Sequence, residues 1–406
     1  MKKAISFFLI ISGLMSLNSC IEELPIETVS DFESVLVVEG TITNEFKPQE
    51  IKLSRSFELD SLGPRPERSA MVSVIGSNGF NMSFNESEPG LYVSNDSFSA
   101  EQNVDYHLEI TTNNGRQYTS SDVRLTQTTP IDDLYAVRDF NENGEEGVSI
   151  YVDAFDPTGS SKFYRYTYEE TYKIIAPDYS PEVIQGLTES EIIEFFVTRE
   201  FRPEQEQICY NTVASNSIII ENTNQFVEDR INGFRVRFIS RENYIMSHRY
   251  SILVNQYIQS PQAHEFYKSL KEISETETIF STTQPGFLNG NVSSVTNDNE
   301  KVVGFFEVAT VDSKRIYFNY ADLFPGEDLP PYYIRCDAFF TPDLFQADPL
   351  TGEIGNSPIQ TAIIQGRQYW AENDEGGFFQ PYYMVLPECG DCTFLGETEV
   401  PDFWED

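Results

Sequence analysis

The chain is poor in histidine, tryptophan and basic residues. It has three histidines and two tryptophans among 406 residues, and 27 lysines and arginines stand against 65 aspartates and glutamates, for a formal net charge of −38. Because nucleic acid is bound by clustered cations that face phosphate, we expect no nucleic-acid partner. Scarce tryptophan also argues against a lectin that stacks sugars on indole rings.

The usual sequence motifs of catalysis are absent as well. The chain has no HExxH, no GxSxG, no phosphate-binding P-loop and no dinucleotide fingerprint after a strand. We expect His107 to face outward on a strand, His264 to lie off the apolar stripe of its helix, and all three histidines, with His248, to be ordinary packing or surface residues. We predict a non-enzymatic protein without a cofactor. A hydrolase with two facing carboxylates remains the alternative, because such a pair leaves no spacing signature in a β-protein.

The single long apolar run lies at the start of the chain. Lys2 and Lys3 precede an apolar segment over residues 4–17, which is the layout of a secretory signal peptide over residues 1–19. Fourteen residues are too few to cross a bilayer, which takes about 20. Since no later stretch is comparable, we expect no transmembrane helix.

The end of the apolar run, Leu17-Asn18-Ser19-Cys20, resembles a bacterial lipobox. The resemblance implies cleavage before Cys20, a diacylglyceryl group on its thiol and acylation of the new amino terminus. Each buried CH₂ of lipid contributes about 0.8 kcal/mol, so two or three chains would hold the protein in outer-membrane lipid. The alternative is an ordinary signal peptide followed by an incidental cysteine.

The residues after Cys20 indicate which membrane surface carries the anchor. Ile21 stands where an inner-membrane retention signal would have aspartate, and Glu22 and Glu23 resemble the acidic surface-export signal of Bacteroidetes lipoproteins. We expect residues 20–31 to be a lipidated tether, and the protein to face the cell exterior from the outer membrane. The alternative is that two glutamates are unremarkable in so acidic a chain.

Four cysteines remain in the mature chain. An even number in an exported protein predicts two disulfides with three possible pairings, among Cys209, Cys336, Cys389 and Cys392. The last two form a CxxC, but zinc would need a second close pair or histidines at ligand spacing. A redox CxxC would begin a helix beside a βαβ unit, and this one lies near the chain end among proline and glycine. We expect a structural role.

A second metal motif fails at its last position. Asp139 begins a segment that resembles the first half of a calcium loop, but Ile150 stands where the twelfth position requires a bidentate glutamate. We therefore predict a solvated hairpin loop at this place and no metal site.

Residues 32–128 alternate between apolar and polar side chains. Val104, Tyr106, Leu108 and Ile110 alternate with Asp105, His107 and Glu109, and turn signals such as Asn78-Gly79 and Asn114-Gly115 separate such runs. About seven short strands with regular turns predict a mostly β fold that begins with an N-terminal immunoglobulin-like β-sandwich.

Residues 129–406 are predicted to form a larger β-sandwich with helical insertions near 189–201 and 261–274. Thr188 and Glu191 have the spacing of a capping box for the first helix, and Ser260 and Pro261 are typical of a helix start for the second. Two separate strands are expected over 302–311 and 315–320.

Short segments spread along the chain resemble a family of uncharacterised Bacteroidetes outer-membrane lipoproteins, a domain of unknown function. The segments are 37–44, 53–56, 89–92, 130–135, 209–210, 249–257, 284–291, 304–306, 314–316, 389–392 and 401–404. Members are often encoded beside SusC-like TonB-dependent receptors, and the family has no established catalytic residues. The resemblance implies an accessory or substrate-capture partner of such a receptor; a surface hydrolase or a structural or adhesive lipoprotein are the alternatives. Part of the 22 tyrosines and 31 phenylalanines would line its contact surface.

Overall fold

The computed structural model describes residues 34–57, 63–189, 195–202, 205–275, 288, 290–337, 339–346, 350–351, 357–377 and 379–405. The protein is mostly β, as the alternating pattern predicts. Over these residues, no helix combines the length and apolar character that crossing a bilayer requires.

Strands β1 to β9 come first in the chain: β1 (Leu36–Thr43), β2 (Glu50–Arg55), β3 (Arg65–Pro66), β4 (Met71–Gly76), β5 (Asn81–Glu88), β6 (Leu91–Ser94), β7 (Asp105–Thr111), β8 (Gln117–Ser120) and β9 (Val123–Arg124). Nine strands follow before the longest helix: β10 (Ile131–Phe140), β11 (Glu146–Asp156), β12 (Phe163–Ile175), β13 (Glu182–Glu189), β14 (Phe195–Phe201), β15 (Ile208–Ala214), β16 (Ile219–Asn222), β17 (Asp229–Ser240) and β18 (Arg249–Ile258).

The remaining elements are α1 (Pro261–Glu275), β19 (Val292–Ser294), β20 (Val302–Asn319), α2 (Tyr320–Leu323), α3 (Pro358–Ile364), β21 (Gln368–Glu372), β22 (Tyr382–Val385) and α4 (Pro387–Gly390). Helix α1 confirms the prediction of a helix near 261–274. Ala263 and Phe266 on its buried side pack against Phe305 of β20.

The first unit is one curled sheet around one core. Its strands follow the order β20-β1-β2-β6-β5-β4-β7-β8-β19, and β1 runs parallel to β20 with Leu36 opposite Val302. Strands β1 to β9 come from the segment predicted as a sandwich, but β19 and β20 complete the unit and add Val292, Val302 and Phe306 to its core. Pairing with β20 covers the edge that β1 would otherwise expose.

The two ends of the curled sheet nearly meet beside β20. The Asn291 side chain donates to the Phe306 carbonyl at 2.9 Å and accepts from the Phe306 amide at 2.7 Å. The backbones of Gly290 and Gly304 are so close that a Cβ on Gly290 would lie 1.4 Å from the Gly304 carbonyl oxygen. Glycine is therefore required at this contact.

The second unit is a β-sandwich of two facing sheets. The sheet β10-β11-β17 packs on the sheet β15-β12-β18-β20, and the core between them contains alternate residues of β11, β12 and β18, among them Val148, Tyr164 and Ile252. The two strands predicted over 302–311 and 315–320 are one continuous strand. β20 has 18 residues, about 60 Å of extended chain, and it passes from the first unit into the second.

The helix predicted near 189–201 is wrong. β13 and β14 form an antiparallel hairpin in which Glu182 pairs with Phe201 and Glu189 with Phe195. The capping-box spacing is a local signal, and cross-strand pairing outweighs the weak helix propensity of such a segment. Residues 190–194 lie outside the described residues.

The chain ends in a small C-terminal unit built from α3, β21, β22 and the hairpin β13–β14. Ile184, Leu344, Ile359, Tyr369 and Met384 form its core. This core has far fewer buried side chains than the two preceding ones, and the surrounding chain has little regular secondary structure.

Candidate functional site

The residues predicted to carry the lipid anchor lie outside the described residues. These are the signal-peptidase recognition residues Leu17, Asn18 and Ser19, the lipidation site Cys20, and the export residues Glu22 and Glu23. They stay predictions.

The four cysteines after residue 33 form two disulfides, as predicted. Cys209 joins Cys392 and Cys336 joins Cys389, with Cα–Cα distances of 5.6 and 5.7 Å that are ordinary for such bonds. The two cysteines of the CxxC therefore have different partners and do not form a redox pair. Cys209 ties a strand of the second unit to the chain end, and Cys336 closes a loop inside the C-terminal unit.

One group of potential metal ligands surrounds the second disulfide. Asp178, Cys336 and Cys389 bring their donor atoms within 4.8 Å of one another. Both sulfurs are in a disulfide, so neither is the thiolate that a metal would bind. Burial raises the pKa of Asp178, which further weakens this group as a cation site.

The calcium-like segment is the hairpin loop between β10 and β11, as predicted. The Asn141 side-chain oxygen accepts from the amides of Asn143 and Glu145, each at 3.0 Å. The loop thus satisfies its own polar groups.

The histidines do not assemble a catalytic group. His107 is half-buried beside Glu109 and Asp122, and burial with the neighbouring charge of Lys173 lowers the pKa of His248. His264 was expected off the apolar stripe, but it is buried, and its ring lies 4.8 Å from that of Phe163.

Two of the buried carboxylates are held by basic partners. Glu170 accepts two hydrogen bonds from Arg237, at 3.0 and 3.1 Å, and Asp229 lies 2.5 Å from the Lys162 ammonium. Glycosidases need an acid with a raised pKa in a cleft. Among the described carboxyls whose pKa is shifted, Asp178 alone is raised, and it lines none of the cavities described below.

A third buried ion pair lies where β20 leaves the first unit. The Arg165 guanidinium is 3.0 Å from Glu307 and stacks on the rings of Tyr257 and Tyr267, at 4.3 and 4.7 Å. Gln259 donates to the second Glu307 oxygen at 3.1 Å. Arg165 also donates to the Thr41 hydroxyl of β1 at 3.3 Å, so this ion pair links β12 of the second unit to β1 and β20 of the first.

The most conspicuous exposed feature is a group of aromatic side chains on the C-terminal unit, which we name the aromatic surface: Phe339, Phe340, Trp370 and Tyr383. Phe339 stacks on Trp370 at 4.4 Å with an interplanar angle of 18°, and Tyr383 meets both edge-on at 5.8 and 5.9 Å. Phe339 and Phe340 are 44% and 45% exposed. The rings therefore form one preorganised surface in contact with solvent.

Strand alternation explains why these rings point outward. Tyr369 and Met384 of the paired strands β21 and β22 enter the small core, so Tyr383 lies on the opposite face, and Trp370 stands beside it as the extra residue of a β-bulge. Phe340 exchanges backbone hydrogen bonds with Met384, at 2.8 and 2.7 Å, and this contact adds Phe339 and Phe340 beside the strands. The sequence gives one hint of this surface, since Trp370 is one of only two tryptophans.

Exposed aromatic rings beside an arginine are typical of protein contact surfaces. The Arg367 guanidinium lies 5.5 Å from the Phe340 ring, and arginine and aromatic residues are enriched at interface centres. Rings that are already stacked lose little side-chain entropy on binding. The aromatic surface is therefore suited to bind a partner and supplies no group for chemistry.

The described residues also line cavities, among them the following three. One of about 550 Å³, which we name the basic cavity, is lined by Arg55, Arg65, Glu67, Arg116, Glu300 and Lys301. A second, of about 390 Å³, is bordered by Lys173, His248 and Arg249, and a third, of about 490 Å³, lies beside Phe226 and Arg230.

Fold and surface together define a mostly β protein of two large units, with a disulfide-bound C-terminal unit that presents aromatic side chains. The chain belongs to the DUF4249 family, a domain of unknown function, whose model matches residues 21–315. The predicted membership in an uncharacterised family is confirmed. The match ends within β20, so the aromatic surface lies beyond it.

Other comparisons add no activity. No curated protein matches the chain. A solved structure of a DUF4785 family protein from Legionella pneumophila subsp. pneumophila str. Philadelphia 1 is 9% identical, with 54% of this chain and 51% of that one covered and a TM-score of 0.14. The chain spans about half the length of that protein, and this likeness carries no argument.

Proposed function

We propose that the protein is a lipid-anchored, non-enzymatic protein of the outer membrane, exposed at the cell surface, that serves as an accessory or substrate-capture partner of a TonB-dependent transporter. Support for the anchor comes from the lipobox ending in Cys20, and support for surface exposure from Glu22 and Glu23. The resemblance to Bacteroidetes lipoproteins encoded beside SusC-like receptors supports the choice of partner.

The aromatic surface is the observation that carries the partner-binding part of the proposal. Phe339 is exposed and stacks on the partly buried Trp370, and both lie on a unit that the Cys336–Cys389 disulfide cross-links. A rigid aromatic group with one arginine beside it can bury apolar area against a protein without much ordering cost. Co-purification of a receptor would depend on these rings.

Hydrolysis has less support. No described carboxyl of raised pKa lines the three cavities given above, and the buried carboxylates of Glu307, Glu170 and Asp229 are paired with Arg165, Arg237 and Lys162. A purely structural or adhesive protein is the other alternative, and it differs by having no transporter contact.

The proposal is tested by extracting the native protein in mild detergent and identifying what co-purifies. We expect a β-barrel receptor with the wild-type chain and clear loss of that receptor with Phe339→Ala combined with Trp370→Ala. Phe226→Ala is the matched control, because this ring is 61% exposed but lies on the second unit. A wild-type protein that reproducibly emerges without a β-barrel, or an equal loss with the control, would count against the proposal.

A further inference from the structure

The basic cavity is lined by more positive than negative side chains, whereas the chain as a whole is acidic. Four cations line it, Arg55, Arg65, Arg116 and Lys301, against two carboxylates, although the whole chain carries 65 acidic and 27 basic residues. Such a local excess in an acidic protein creates a positive field at one place on a negative body.

The cavity is built from distant parts of the chain, and its charged groups are held in position. The Arg55 Nε lies 2.6 Å from Glu67, and Arg116 lies 2.8 Å from Glu300. The Glu300 carboxylate also accepts from Tyr118 at 2.6 Å and from Ser294 at 2.9 Å. Burial alone would raise the pKa of Glu300, but these hydrogen bonds outweigh burial and lower it.

Arg65 differs from the two fixed arginines. It is exposed at the rim of the cavity, and the part of the chain that the structure describes gives its guanidinium no ion-pair partner. Arginine binds phosphate oxygens through two parallel N–H groups, which suits this position to a phosphate that enters from solvent.

The cavity lies where the folded body meets the tether. Ser34, the first described residue, lines the cavity, and its carbonyl accepts from Arg55 at 3.4 Å. Cys20 and Ser34 are fourteen residues apart in the chain, a separation of at most about 50 Å when the segment is fully extended. An acyl group on Cys20 would therefore keep this end of the first unit close to the lipid, while β20 carries the second unit away from it.

We propose that the basic cavity binds the phosphate of an anionic lipid headgroup in the leaflet that holds the anchor, and that this contact orients the body on the membrane. The orientation rests on the proposed acylation of Cys20, whereas phosphate binding by the cavity does not. An anionic membrane repels the acidic remainder of the body, so the end with the basic cavity faces the lipid.

The test uses the full mature chain, residues 20–406, with Cys20→Ser so that no acyl chain contributes. Flotation is measured with vesicles of phosphatidylethanolamine alone and with vesicles that also contain phosphatidylglycerol. We expect binding to the anionic vesicles only. Arg65→Glu removes one positive and adds one negative charge, so at about fivefold per charge it weakens binding roughly 25-fold. Arg65→Lys restores most of the binding.

Arg335→Glu is the control, because it makes the same charge change at a side chain that is 89% exposed on the C-terminal unit. Equal binding to both kinds of vesicle, or an equal loss with the control, would overturn the proposal. So would a thermal midpoint that inorganic phosphate raises in the absence of vesicle binding, since the site would then serve a soluble anion. None of these three outcomes would count against acylation of Cys20, because acylation is measured separately on native protein.

Discussion

The first unit and the C-terminal unit achieve stability in different ways. The first unit buries a continuous core of strand residues such as Leu36, Ile51 and Tyr106, and it contains no cysteine. The C-terminal unit has a small core around Ile359 and Met384; the Cys336–Cys389 disulfide closes a loop inside it, and Cys392 fixes the segment that follows to Cys209 in the core of the second unit. The cross-links thus stabilise a part of the chain whose own core buries little apolar area.

The first unit and the C-terminal unit also present two different kinds of surface. The first unit presents the basic cavity, whose charges depend on contacts between distant segments, and the C-terminal unit presents stacked rings on short strands. Because β20 joins the first unit to the second, and Cys209 joins the second to the chain end, the two surfaces belong to one connected body.

Removing the disulfide that spans more residues should have the largest effect. It should loosen the C-terminal unit and leave the first unit folded. Cys209→Ser with Cys392→Ser frees a closure of 183 residues, for a loss of about 5 kcal/mol by chain entropy. Trp370 and Trp404 both lie in the C-terminal region, so tryptophan fluorescence should report its loosening. Limited proteolysis should cut this region first and leave a stable fragment that contains the first unit together with β20.

The matched variant is Cys336→Ser with Cys389→Ser, which frees a closure of 53 residues and should cost about 1 kcal/mol less. Simultaneous proteolysis of the first unit in either variant would show that the units do not differ as described.

The ion pair between the two large units should give the next largest effect. Glu307→Ala leaves Arg165 buried without a carboxylate, which costs about 3–5 kcal/mol in the free energy of unfolding. Urea unfolding followed by circular dichroism measures this loss. Arg165→Met combined with Glu307→Leu should lose much less, because no charge then remains unpaired. A double variant as unstable as Glu307→Ala would refute the charge argument.

A glycine substitution should weaken the first unit selectively. Gly304 has a φ of +137°, and a Cβ there would lie 2.0 Å from the Val38 carbonyl oxygen. Gly304→Ala should therefore cost roughly 3 kcal/mol and expose β1 to hydrogen exchange. Gly115→Ala is the control, since φ is also positive there but nothing lies within 4 Å, and about 1 kcal/mol is expected. Equal losses would show that the close approach to β1 is unimportant.

The smallest expected effect is a pH dependence in the second unit. Burial would raise the pKa of Asp156, but donors from Thr158, Ser160 and Ser161 outweigh burial and lower it well below the usual range. The folded-state pKa is depressed, so this stabilisation is complete above about pH 5 and is lost as the pH falls further. It is on the order of 2 kcal/mol.

Asp156→Asn should remove that part of the acid dependence in urea unfolding measured from neutral pH downward. Asp374→Asn, at an exposed position of the C-terminal unit, should leave the dependence unchanged. An unaltered acid profile in the Asp156 variant would contradict the assignment.

The sequence predicts the elements that depend on local pattern. Leu36, Val38 and Ile42 are buried on one face of β1, as their alternation requires, and Ser260 and Pro261 correctly mark the start of α1. Period-two burial and N-terminal capping act within a few residues, and a single sequence shows both.

Features that depend on distant contacts could not be predicted. The hairpin β13–β14 overrides a local capping signal, and β20 stays continuous because β1 and β18 pair along its two halves. Arg116 and Glu300 of the basic cavity are 184 residues apart. The disulfide pairing also depends on the fold, because four cysteines allow three pairings and their spacing in the sequence does not distinguish them.

The aromatic surface could be predicted only in part from the sequence. Trp370 is noticeable because tryptophan is rare, but its neighbour Phe339 is brought to it by the backbone contact between Phe340 and Met384. Composition therefore suggested contact aromatics without showing which ones.

The state of Cys20 in the native protein tests the central claim most directly. Intact-mass spectrometry of protein extracted from its own cells should find a chain that begins at Cys20 and carries the added mass of two or three acyl chains. Cys20→Ser should leave a protein without that mass, released from the envelope fraction. A native chain with no acyl mass, or a serine variant that still sediments with the envelope, would contradict the proposed anchor.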